Sequence, residues 1–161
     1  MRSLRRKAPA STVATGERVL ASCASVDGEL IAGTRDALHL GSLRVPWEEV
    51  RTADGDRETD LFKVVLVGSW GEEQVSRSFS LPKPGRLLEL VRERVTASVV
   101  LQRRVPLSGG LGVQVIGRRP PRGTGEIEWF FEYDEGVDPA DPVVREAARS
   151  ALAAARGDVG L

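Results

Sequence analysis

One cysteine, one histidine and no asparagine occur in 161 residues. Cys23 alone cannot form an internal disulfide or a cysteine-built zinc site, and His39 alone cannot supply a multi-histidine metal centre. No stretch reaches the ~20 consecutive apolar residues that a membrane-spanning helix needs. Neither sign of charge is in excess: Lys+Arg and Asp+Glu both total 23. The chain as a whole therefore offers no electrostatic case for nucleic acid or anionic lipid. Internal repeats and coiled-coil heptads are absent. The glycine-rich run Ser108-Gly109-Gly110-Leu111-Gly112 matches neither a P-loop nor a dinucleotide-binding fingerprint and reads as a linker.

Catalytic patterning is equally thin. His39 stands between Leu38 and Leu40 with no carboxylate at a matching spacing, which reads as a structural or exposed histidine and not a general base. Cys23 alternates with Val19 and Ala21 and reads as a small buried hydrophobe. A reactive thiolate wants basic neighbours, and only Arg18 is near in sequence. Glu126, Glu128 and Glu132 share a strand, but alternate residues lie ~6.6–6.8 Å apart, too wide to converge on a cation unaided. These readings point away from an enzyme and require no cofactor and no metal.

What is present is the composition of a globular domain, 41% hydrophobic and 29% charged, with length for one domain and a small appendage. The first sixteen residues hold four bases and no acid. Ala8-Pro9-Ala10-Ser11-Thr12 is too polar for a secretory core, and Pro9 and the weak helical patterning oppose a transit peptide, so residues 1–16 read as a flexible tail. Arginine outnumbers lysine 20 to 3, a bias of GC-rich bacterial genomes that favours a cytoplasmic protein.

From Glu17 to Leu81 short apolar runs alternate with turn chemistry. RVLASCASV, ELIAG and ALHL are separated by Asp27-Gly28 and Thr34-Arg35-Asp36. Leu43, Val45 and Trp47 alternate with Arg44 and Pro46. A strand beginning near Val50, then LFKVVLV and QVSRSFSL, complete seven short antiparallel strands, a sandwich or barrel. Arg77 falls on the apolar face of the last, which places it at a sheet edge. The period then changes, because Leu87, Leu88, Val91, Val95 and Val99 recur at helical spacing. That predicts one amphipathic helix, with Pro84 in its first turn and an end near Leu101, closing the bent sheets. Val99-Val100 equally suits the start of a strand.

A second unit follows. GVQVIGRR and EIEWFFEY flank a loop rich in proline and glycine, predicting a hairpin. Ile127, Trp129, Phe131 and Tyr133 make one face of its second strand. Asp141 as N-cap, Pro142 at the first helical position and Gly157 as stop delimit a helix of small apolar residues, expected to cover that aromatic face. The predicted organisation is α+β: tail 1–16, a seven-stranded domain over 17–103, and a ββα extension over 104–161.

The strand order closed by one helix, the Thr34–Leu40 segment T-R-D-A-L-H-L and the Arg44–Val50 segment R-V-P-W-E-E-V resemble bacterial pleckstrin-homology-like (PH-like) and GRAM-like domains. The resemblance covers about Glu17 to Leu101 and does not include the extension. It implies a PH-like seven-stranded antiparallel β-sandwich or barrel, and a platform for binding proteins, peptides or lipids more than an enzyme. Members that bind phosphoinositides place lysine and arginine around the first hairpin. Here that hairpin carries Asp27 and Glu29, a departure that disfavours phosphoinositide.

Charge is segregated along the chain. Between Arg86 and Arg122 eight arginines face two glutamates, and from Gly123 to Glu146 eight acids face one arginine. Internal pairing across the hairpin, Arg118 or Arg119 against Glu126 and Glu128, accounts for this. The alternative is a basic patch of Arg103, Arg104, Arg118, Arg119 and Arg122 that binds an anionic ligand, nucleic acid or an acidic partner. Nucleic acid is disfavoured because the nearby aromatics alternate with glutamate. The tail's four bases support at most peripheral membrane contact. Trp70, in the turn Gly68-Ser69-Trp70-Gly71, either anchors an interface or folds over its own hairpin. The function expected is a non-enzymatic protein-interaction module with an unidentified protein partner.

Overall fold

The computed structural model describes residues 16–67, 75–122 and 125–160. Among them are ten strands in three antiparallel sheets and two α-helices, an α+β chain. Two compact units share the chain: one runs to Ser98 and includes Pro120–Arg122, the other takes Val99–Arg119 and the residues from Gly123 onward.

In the first unit, β1 (Ala21–Ala24), β2 (Leu30–Gly33), β3 (Ala37–Leu40) and β4 (Leu43–Pro46) form a four-stranded sheet in chain order. The next three, β5 (Val50–Asp56), β6 (Leu61–Leu66) and β7 (Ser76–Ser80), form a second sheet, with Arg77 on its edge strand β7 as its register suggested. The alternation of side chains on each strand supplies one apolar face per sheet. Ile31, Leu38, Leu40 and Val45 from the first sheet meet Val50, Phe62, Val64 and Phe79 from the second in one core. No strand ladder joins the two sheets, so among the described residues the sandwich does not close into a barrel.

Trp47 follows β4 and opens a 3-10 turn, Trp47–Glu49. Its ring is fully buried and its Nε1–H donates to the Thr34 carbonyl at 2.9 Å. That bond satisfies the indole's one polar group, which makes full burial favourable. Thr34 Oγ1 in turn accepts the backbone N–H of Ala37 at 3.1 Å, fixing the β2–β3 turn.

Helix α1 (Leu87–Ser98) buries Leu87 and Val91 in this core, with Leu88 and Val95 packed at its margin. It approaches β5 closely because Gly55 has no side chain: a Cβ there would lie 2.7 Å from Leu88 Cδ1. Pro84 lies before the helix, its carbonyl accepting the Leu87 N–H. The helix stops at Ser98, three residues before the sequence expectation. Ser98 is fully buried and its hydroxyl donates to the Val95 carbonyl at 2.6 Å, satisfying one of the acceptors that a helix end leaves open. Two consecutive β-branched residues, Val99-Val100, then enter a strand, where their restricted χ1 is no handicap.

That strand, β8 (Val99–Pro106), changes the second unit from ββα to βββα. It pairs with β9 (Gly112–Arg118), which pairs with β10 (Glu128–Tyr133), in spatial order β10-β9-β8. The predicted hairpin is β9–β10, with Trp129 opposite Gly117 and Phe131 opposite Val115. Helix α2 (Pro142–Asp158) begins where Asp141 Oδ1 accepts the Val143 N–H at 2.9 Å. Ala151 and Ala155 are buried with Val115, and Trp129, Phe131, Leu101 and Val105 pack around them. The small-residue helix therefore lies on the aromatic face, as its sequence indicates. Residues 1–15, and the turn carrying Trp70, lie outside the described residues.

Candidate functional site

Three of the five arginines singled out by charge segregation, Arg103, Arg104 and Arg122, are ion-paired with acids. Arg103 and Arg104 are successive residues of β8 and project from opposite faces of the sheet. On the α2 side, Arg103 is ion-paired with Asp158 in the last turn of α2. Arg104 makes a two-pronged pair with Asp134, one contact 3.1 Å and the other 2.6 Å, and the same carboxylate accepts the Gly112 N–H at 2.9 Å. The Arg104 guanidinium holds Asp134 below the usual carboxylate range. Arg118 stands opposite Glu128 across the hairpin, is 4% exposed and is engaged. Arg119 is half-buried beside it.

Arg122 belongs to the first unit, where its guanidinium forks onto both carboxylate oxygens of Asp36, the Nε contact being 2.7 Å. Within the second unit Arg104 faces Gln114, and Arg118 lies four residues further along β9, ~13 Å away. The structure thus distributes Arg103, Arg104 and Arg122 among separate partners.

A polar cluster that sequence spacing does not reveal gathers on the first sheet. Arg44 of β4 is the cross-strand neighbour of His39 of β3. Glu17, more than twenty residues away in sequence, reaches both: its carboxylate lies 3.0 Å from His39 Nε2 and accepts from Arg44 Nε at 3.1 Å and from its terminal nitrogen at 2.8 Å. Arg44 holds the Glu17 carboxyl below its ordinary value, against partial desolvation, and His39 adds to the effect. His39 is buried, its imidazole spanned by a satisfied carboxylate, and Thr34 also contacts Glu17 at 3.4 Å. Every charge in the cluster has a close partner of opposite sign, so it fastens the residues before β1 to the sheet.

A concave surface with an apolar lining lies elsewhere on the first unit. A recess of about 360 Å³ sits between the β5–β6 hairpin and the loop leading into α1. Phe62, Leu81 and Leu88 give it an apolar floor, Pro82 and Pro84 form a wall, and Asp56, Arg57 and Asp60 stand at the rim. Asp60 is the described non-glycine residue with positive φ, 58°, and its carbonyl accepts the Leu81 N–H at 2.7 Å. Aspartate tolerates this left-handed conformation better than most residues, which explains its place in the hairpin turn. Sequence reading passed over this site because Asp54-Gly55-Asp56-Arg57-Glu58 is indistinguishable from an ordinary solvated turn.

Among the described residues no group of three histidine, cysteine or acidic side chains is arranged to hold a metal ion, and no helix is long and apolar enough to cross a membrane. Comparison with protein-family models, curated proteins and solved structures finds no match for this chain.

Proposed function

We propose that the chain is a non-enzymatic interaction module with a PH-like first unit, working in the bacterial cytoplasm and binding a protein partner. One contrast carries the reading. Arg103, Arg104 and Arg122, three of the five arginines that would hold an anion, are paired with acids of the chain itself, whereas the apolar recess carries rim carboxylates with no ion pair among the described residues. A concave, largely pre-formed apolar surface with a few polar groups is the usual form of a binding site. The PH-like assignment draws support from four strands followed by three, then a helix buried in their common core. It draws further support from the Trp47–Thr34 hydrogen bond, which joins the two segments on which the resemblance rests. Asp27 and Glu29, both exposed at the first hairpin, speak against phosphoinositide.

Site-specific photo-crosslinking tests this. A photoreactive residue in place of Leu61, beside the recess, is compared with one in place of Arg104, in the full chain expressed in its source cells. The expected result is a discrete protein adduct at the Leu61 position. Adducts only at the Arg104 position, or capture of RNA there that salt abolishes, would favour the anionic-ligand alternative.

A further inference from the structure

We propose that the recess between the β5–β6 hairpin and the loop before α1 docks an extended peptide of the partner, one bearing an apolar side chain next to lysine or arginine. This specificity rests on the interaction-module reading above and adds the partner's chemistry.

The recess, about 360 Å³, is at the small end of ligand-binding cavities, which suits one bulky side chain and its neighbours. Its apolar surface continues outward. Leu61 lines the recess, is 43% exposed and stands opposite Ser80. The Ser80 carbonyl accepts the Val26 N–H at 3.1 Å, and Val26 is 65% exposed. Two exposed hydrophobic residues therefore flank Ser80 at the edge of the apolar floor, where apolar area is open to a partner.

The charges around this surface select the sign of the partner. Asp56 and Asp60 line the recess against Arg57, and Asp27 follows Val26 in its turn. Asp56 accepts the Glu58 backbone N–H at 2.9 Å, and among the described residues no ion pair engages Asp56, Asp60, Asp27 or Arg57, which leaves the lining one acid in excess. Lys83 and Arg86 are exposed nearby in sequence and are not part of the lining. An anionic ligand would meet like charge at the rim, whereas a cationic side chain beside an apolar anchor finds both complements. The surface is also held in shape: the Asp60–Leu81 hydrogen bond ties rim to floor, and Pro82 and Pro84 restrict the wall, which lowers the ordering cost of binding.

The test uses two pools of fluorescein-labelled octapeptides, each with one Leu, Phe or Trp, flanked by Lys and Arg in the first pool and by Glu in the second. Fluorescence anisotropy with the full chain is expected to show saturable binding of the basic pool alone, weakening as salt rises. Asp56→Asn with Asp60→Asn, which keep the turn's hydrogen-bonding geometry, should weaken binding at least ~10-fold, as should Leu61→Ser. Arg104→Gln should leave it unchanged, and circular dichroism confirms that each variant is folded. Equal binding of the acidic pool, no binding of either pool, or indifference to the aspartate changes would each overturn the proposal. So would self-association abolished by Leu61→Ser in sedimentation, which would assign the recess to a second copy. If the Leu61 crosslink captures a partner segment without lysine or arginine, the interaction-module reading stands and this specificity fails.

Discussion

The two units reach a buried core by different means. The first fills its interior with large side chains, Trp47, Phe62, Leu38 and Leu87, each at most 1% exposed. The second presses alanines, Ala151 and Ala155, onto a three-stranded sheet, and its large residues Trp129 and Phe131 stay half-buried. Full burial of a leucine or phenylalanine contributes ~1.5–3 kcal/mol, an alanine methyl group much less. What the second unit gains from alanine is close approach. Gly117 extends the device, since a Cβ there would lie 2.8 Å from Trp129 Cζ3. One core is therefore sensitive to removing volume, the other to adding it.

The first expected effect is the largest. Leu87→Ala should destabilise by ~2–5 kcal/mol in urea unfolding, because the cavity sits where sheets and helix meet. Leu88→Ala should cost less, since Leu88 is only half-buried at the recess. A loss below ~1 kcal/mol for Leu87→Ala would mean that the helix contributes little to the first core. Next, Ala155→Leu should cost ~1–3 kcal/mol by overpacking the helix–sheet contact. An unchanged unfolding midpoint would show that the alanine interface has slack and that the contrast is one of composition alone. Asp141→Ala should then cost ~1 kcal/mol through loss of the N-cap, and Asp141→Asn much less.

A pH dependence probes the first unit directly. Glu17 has its carboxyl lowered by Arg44, so its contribution to stability is present above the unfolded-state value near 4.5 and is lost as pH falls through the lower folded value. The Glu17→Gln variant should lack that part of the acid sensitivity. Equal acid sensitivity of wild type and Glu17→Gln would show that the carboxylate is not held by its partners in solution.

Much of this architecture was legible because period two and period 3.6 leave distinct traces. ALHL, LFKVVLV and the Asp141-Pro142 helix start all lie where their patterns place them. Strand β8 was obscured because Val95 and Val99 continue a helical spacing, and the pairing of Val99–Pro106 with β9 decides between the two readings. Functional geometry was less legible. The pairing of Glu17 with His39 depends on chain folding across 22 positions, and no local spacing carries it. The arginine cluster arose from counting charge along the chain, whereas Asp36, Asp134 and Asp158 reach those arginines from elements distant in sequence. The recess combines residues 55–62 with 81–88, two segments that become one surface only through the β5–β6–β7 sheet.

Cys23 gives the chain an internal clock. Its Sγ lies 3.2 Å from the carbonyl oxygen of Lys83, and burial pushes the thiol's pKa up. A thiol so placed is shielded from a bulky alkylating reagent until the local structure opens, so its labelling rate relative to that of a free thiol reports how often the Cys23–Lys83 contact is open. The loop that carries Lys83 contributes Pro82 and Pro84 to the wall of the recess. Labelling of Cys23 should therefore slow when the recess is filled, which turns a chemically quiet residue into a timer for occupancy, with no probe added to the protein.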